Sequence, residues 1–150
     1  MPRVMPGETA MLPELGLVLL LVALLMALLQ AILPLAGAHR GNTAWMSIAR
    51  PAAYAQLLLM AGAYAVLTWA FVAQDFSVKY VADNSNSLLP MLYRYSAVWG
   101  AHEGSLLLWA LVLALWTSAV ALFSRGLPEP VVARVLGVMG FVAIGFLAFL

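Results

Sequence analysis

Residues Leu15–Ala38 and Pro51–Gln74 each run for 24 positions without a charged side chain. Wound as helix, such a run covers about 36 Å, more than the roughly 30 Å hydrocarbon core of a bilayer. A third charge-free run, Gly104–Ser124, has 21 residues, and a fourth, Val135–Leu150, has 16. Composition points the same way: 65% of the chain is hydrophobic and 9% charged, against about 25% charged in a soluble domain. The chain lacks the polar surface of a soluble domain. The expected fold is all-α: a polytopic membrane helix bundle of four transmembrane helices, with one interfacial loop or helix between spans two and three.

The runs divide the chain. Residues 1–14 form an N-terminal extension, within which Met11 opens M-L-P-E-L-G and reads as a second possible start. The first span is 15–38, followed by a loop at 39–50 and the second span at 51–74. Residues 75–103 form the interfacial segment, 104–124 the third span, 125–130 a tight loop and 131–150 the fourth span. Helix over the last 16 residues measures about 24 Å, short of a typical crossing, so this span is read as the front of a longer one. Ala36-Gly37-Ala38 resembles a signal-peptide cleavage site, but the run before it is longer than an h-region of about 7–15 residues, and Glu8 and Glu14 outnumber Arg3 ahead of it. Gln30 and Pro34 inside the first span suit a helix packed against others, where polar and freed backbone groups find partners. Ala49/Ala53 and Ala61/Ala65 have the spacing of close helix contacts.

Orientation follows from Lys and Arg. Arg40, Arg50, Arg125 and Arg134 lie in or beside the two short loops, whereas Arg3, Lys79 and Arg94 are spread over the N-terminus and 75–103 with five acids. The positive-inside rule therefore puts the short loops in the cytoplasm and the N-terminus and interfacial segment on the outer side, towards a periplasm or its equivalent.

Chemistry-bearing residues are few. The chain has no cysteine, which excludes thiolate metal sites and disulfides within it. Its two histidines make no His-rich metal site, and a net charge of +1 offers nothing to nucleic acid. Attention falls on Ser96–Trp109, S-A-V-W-G-A-H-E-G-S-L-L-L-W. As one helix it would align Trp99, His102, Leu106 and Trp109 on a face, with Gly100 and Gly104 as an adjacent small-residue seam. His102 is a candidate axial haem ligand, since imidazole is a usual one. The competing reading has His102 hydrogen-bonded within helix packing and Glu103 capping the helix or paired with Arg94. Trp99 suits interfacial anchoring, Trp109 and Trp116 suit packing, and Asp83–Ser87 reads as a turn.

Tyr80–Ser87, Y-V-A-D-N-S-N-S, and Tyr93–Ser105, Y-R-Y-S-A-V-W-G-A-H-E-G-S, resemble the N-terminal part of the CcmF/NrfE family of cytochrome c-type biogenesis proteins. M-L-P-E-L-G at Met11–Gly16 and A-R-P at Ala49–Pro51 extend the resemblance from Met11 onward. The W-G-A-H-E-G-S string carries it: Trp99, Gly100, His102, Glu103, Gly104 and Ser105 recur as a family motif. The resemblance implies a haem lyase subunit of the bacterial inner membrane, which attaches haem covalently to apocytochrome c in the periplasm. It implies CcmH-type and CcmI-type partners and haem delivered by the chaperone CcmE. The family's tryptophan-rich segment and haem-ligating histidines lie further along, so haem belongs to the full-length parent and no ligand is assigned here.

Two other classes fit a chain of this composition. A transporter or channel subunit would be expected to carry ionisable residues inside its spans, and here only His39 and His102 stand near them, at the boundaries. The other is a small non-enzymatic membrane assembly subunit.

Overall fold

The computed structural model describes residues 11–150. Residues 1–10 of the expected N-terminal extension lie outside them. Helix α1 spans Met11–Arg40, α2 Thr43–Met46, α3 Ala49–Ala73, α4 Lys79–Asn84, α5 Met91–Ala97, α6 His102–Phe123 and α7 Glu129–Ala148, with a 3-10 turn at Ser124–Gly126. The expected all-helical bundle is present. Helices α1, α3, α6 and α7 are long and apolar enough to cross a membrane by length and composition. The last has 20 residues, about 30 Å, because Glu129 and Pro130 already belong to its first turn.

The four long helices close a ring in the order α1, α3, α6, α7, each packed on the next and α7 on α1. The seams are built from small side chains. Ala23, Ala27 and Ala31 line the buried face of α1 and are fully excluded from solvent. Opposite them, a Cβ added at Gly140 would stand 2.9 Å from the Ala31 backbone nitrogen. A Cβ at Gly137 would stand 2.7 Å from Leu35 Cγ. Small residues let the two backbones touch, the form of packing available where hydrophobic exclusion from water does not operate. Gln30 is completely buried in this seam and donates from Nε2 to the Leu136 carbonyl at 2.8 Å. Pro34 is buried beside it. Both fit the expectation of a helix packed on its neighbours.

Across the ring, Ala49 and Ala53 of α3 pack on Ala121, Val132 and Leu136, and Ser118 donates to the Ala53 carbonyl at 3.1 Å. The other expected pair, Ala61/Ala65, is exposed. Their spacing matches Ala49/Ala53, but they stand on the outward face of α3, while Met60 and Ala63 face the core.

Chain reversals are closed locally. Gly41 adopts φ +69 after α1, and the Asn42 N–H returns to the Gly37 carbonyl, the αL closure glycine favours. Helix α3 ends the same way with a side chain in place: Gln74 stands at φ 55, ψ 46, and the Asp75 N–H bonds the Ala70 carbonyl.

Three arginines close helix C-termini that are not their own. Arg50 on α3 donates from Nε to the Ala121 carbonyl at 3.1 Å and from Nη2 to the Ser124 carbonyl at 3.0 Å. Arg94 on α5 reaches the Val72 carbonyl at the end of α3. Arg134 on α7 reaches the Ala38 carbonyl at the end of α1. Orphan carbonyls and the negative end of the helix dipole are both satisfied this way.

Candidate functional site: the α4–α6 clasp

The segment between α3 and α6 is a pair of short helices folded over one end of the bundle. Asp83 and Asn84 complete α4, and the turn expected at Asp83–Ser87 falls later, at Ser87–Leu88, where Asn86 accepts from the Leu88 N–H through Oδ1 and its carbonyl accepts from Gln74 Nε2 at 2.9 Å. Val81 and Val98 are fully buried against Ala70 and Phe71. The Phe71 and Tyr80 rings meet edge to face, 5.5 Å between centroids.

This packing carries the Tyr80 hydroxyl to the start of α6. It donates to the Val98 carbonyl at 3.3 Å and accepts from the Gly104 N–H at 3.1 Å. The N-cap residue of α6, Ala101, has no side chain able to accept from the helix. Tyr80 therefore supplies from another element what a Ser or Asp N-cap supplies within its own. Burial pushes the Tyr80 phenol above its ordinary value of 10.0. The N–H groups of Gly104 and Ala101 work against that, and the Glu103 carboxylate adds to it.

The motif residues take their positions from this clasp. Val98–Ala101 form turns and bends, with Ala101 extended at φ -124, ψ 179. A continuous helix through Trp99 is therefore absent: Trp99 and His102 do not share a helical face, and Gly100 and Gly104 form no seam. Gly104 is needed for another reason, since a Cβ there would collide with the Val98 carbonyl oxygen and stand 2.6 Å from the Tyr80 hydroxyl. The chain turns back across its own helix start at the one buried residue of the motif; Trp99, Gly100, His102 and Glu103 are exposed and Ser105 is half-buried.

Of the packing reading of His102 and Glu103, one part fits: Glu103 stands in the first turn of α6, at the positive end of the helix dipole. His102 stands exposed in the first turn of α6 rather than inside the packing. Arg94 directs its guanidinium to the Leu89 and Val72 carbonyls instead of to Glu103. Trp109 and Trp116 point outward, 60% and 64% exposed, not into this bundle.

A cavity of about 300 Å³ opens beside the clasp, lined by Gly16, Leu20, Val66 and Leu107, with Tyr80 and Glu103 as its polar wall. His102 is not in its lining. His39 lies in the last turn of α1, at the opposite end of the bundle. The two imidazoles cannot meet on one metal, and among the described residues no cluster of three His, Cys, Asp or Glu is arranged to hold one. These described residues therefore offer no bis-histidine site for a haem iron.

A ring of four membrane-length helices, closed at one end by a tyrosine clasp, defines a polytopic α-helical membrane protein. No family model matches the chain. Individual relatives match strongly. CcmF of Pseudomonas aeruginosa, a cytochrome c-type biogenesis protein, is 62% identical over 140 residues, 93% of this chain and 21% of the relative. CcmF of Escherichia coli is 52% identical over 140 residues, with 93% and 22% covered. NrfE of Haemophilus influenzae is 38% identical, with the same shares covered. A solved structure titled cytochrome c heme lyase CcmF superposes with a TM-score of 0.84 at 30% identity, over 90% of this chain and 23% of that one. The chain belongs to the CcmF/NrfE family of cytochrome c-type biogenesis proteins, and it spans about a fifth of the length of the relatives it matches.

Proposed function

We propose that this chain is the N-terminal membrane portion of a haem lyase subunit, which joins haem covalently to the cysteines of apocytochrome c. The observation that carries the reading is the superposition on the heme lyase CcmF structure over nine-tenths of the chain. In this reading the whole protein resides in a bacterial inner membrane, and its haem is held by residues outside this segment. Its partners are CcmH-type and CcmI-type subunits, the haem chaperone CcmE and apocytochrome c. The N-terminus and the clasp face the periplasm, as the arginine distribution suggests. The segment's own part is to scaffold that face: the clasp holds Trp99, His102 and Glu103 exposed at the membrane boundary, where a partner can touch them.

The test is the full-length parent carrying His102→Ala. Holocytochrome c yield is expected to fall while haem still copurifies, seen as a retained Soret band. Loss of the Soret band would make His102 a ligand and overturn the scaffold role.

A further inference from the structure

Two tryptophans face outward from the middle of α6. Trp109 stands seven residues after the first residue of this helix, and Trp116 seven before its last. Each is therefore about 10 Å of helix from the nearer end and about 5 Å from the midpoint. Membrane tryptophans that face lipid collect at the two interfaces, roughly 15 Å from the bilayer centre, where the indole N–H stays wet. At the depth of Trp109 and Trp116 no water is available, and an unpaired N–H in hydrocarbon costs several kcal/mol. The outward face of α1 shows the contrast: Leu17, Leu21, Leu25, Leu29 and Ile32 are exposed there and carry no polar atom.

The surface beside the two indoles is shaped for close approach. A groove between α6 and α7 is lined by Leu106, Val142, Gly145, Phe146 and Phe149. A Cβ placed on Gly145 would meet nothing within 4 Å, so the floor of the groove is bare backbone. Leu106 links groove and stripe, lying one helical step before Trp109.

We infer that the Trp109–Trp116 face and the Gly145 groove receive a further transmembrane helix of the same polypeptide, one presenting hydrogen-bond acceptors opposite both indoles. The relatives are about five times the length of this chain, so the same polypeptide has the residues to supply it. The α1 face, aliphatic throughout, is the one left to lipid. This assignment does not depend on the haem lyase reading; it needs only that the protein be membrane-embedded and belong to a polypeptide of its relatives' length.

The experiment uses the full-length parent in lipid nanodiscs. In a cysteine-free background, nitroxide labels at Trp109→Cys and Trp116→Cys are compared with one at Leu25→Cys for collision with lipid-dissolved oxygen. Labels at 109 and 116 are expected to be several-fold less accessible than the label at 25; equal accessibility overturns the proposal. A gentler pair, Trp109→Phe and Trp116→Phe, keeps the aromatic bulk if the cysteine variants do not fold. Quenching by brominated lipid is then read: removing a protected indole raises the quenched fraction of the remaining fluorescence, whereas removing a lipid-facing one lowers it and overturns the proposal. A photocrosslinker in place of Trp116 identifies the occupant. A crosslink within the same polypeptide supports the assignment, and one to another subunit or to lipid overturns it.

Discussion

The Tyr80 hydroxyl caps α6 by accepting the Gly104 N–H at 3.1 Å, from a helix 24 residues earlier in the chain. One oxygen thus ties together the end of the α4–α5 segment, through Val98, and the start of a membrane-length helix. Removing the oxygen and keeping the ring isolates that tie. Tyr80→Phe leaves the Phe71 contact in place and is expected to destabilise the full-length parent by about 1–2 kcal/mol, the range for a lost cap or hydrogen bond. Thermal retention of the detergent-solubilised protein measures it.

The same hydroxyl sets a pH limit. The folded phenol ionises above its ordinary value of 10.0, chiefly because burial disfavours the charged form. A group whose folded pKa is raised stabilises the fold fully below the unfolded pKa, and loses that contribution as pH rises through the folded one. The clasp is therefore expected to be pH-independent through neutrality and to loosen above pH about 10. Proteolysis between α3 and α6 at alkaline pH, in wild type but not enhanced further in Tyr80→Phe, reads this.

Gly104 and Gly126 look alike in sequence and differ in the structure. A Cβ at Gly104 collides with the Val98 carbonyl, while at Gly126 it meets nothing within 4 Å. Gly104→Ala is expected to cost about 1–3 kcal/mol or more, as overpacking does when the neighbour is backbone. Gly126→Ala is expected to lie within about 0.5 kcal/mol of wild type, like most surface changes. The two melting curves, measured side by side, check the difference.

Arg50 offers a second contrast. Its two hydrogen bonds close the end of α6, whereas Arg125 is exposed in the loop that follows. Arg50→Gln is expected to destabilise the protein by about 1–3 kcal/mol, the cost of lost charged hydrogen bonds and open carbonyls. Arg125→Gln removes the same charge with little thermal effect. Equal melting temperatures for the two variants would show that Arg50 contributes charge alone.

Gln74 carries a backbone penalty that glycine would not. It sits at φ 55, where a side chain costs about 1–2 kcal/mol, and it recovers part of that through Asn86. Gln74→Ala keeps the strain and loses the bond, so it is expected to be less stable than wild type. Gln74→Gly loses both and is expected to exceed Gln74→Ala by about 1 kcal/mol. Denaturation of the pair gives the ordering directly.

How much of this was legible beforehand varies with the scale of the signal. Gln30 was readable as a packed residue because an amide inside a charge-free run needs a partner. Its particular acceptor, the Leu136 carbonyl, was not readable, because the two are 106 positions apart. Ala49/Ala53 and Ala61/Ala65 carry the same local pattern, and only the rotation of α3 against α6 and α7 separates the buried pair from the exposed one. Trp99 and His102 looked like helical neighbours because their spacing is helical. The break between them comes from the buried Val81, Val98 and Phe71 cluster, which holds the chain extended at Ala101.

What the residues alone determined is the membrane class, the number of long helices and the family. Each rests on a property summed along the chain: charge-free length, hydropathy, and an unusual ordered string. What only the tertiary structure decided is which atoms those helices bring together. Tyr80 with Gly104, Arg50 with Ala121 and Gly140 with Ala31 are contacts between distant segments. Their geometry follows from how the bundle rotates and closes, and no local period encodes it.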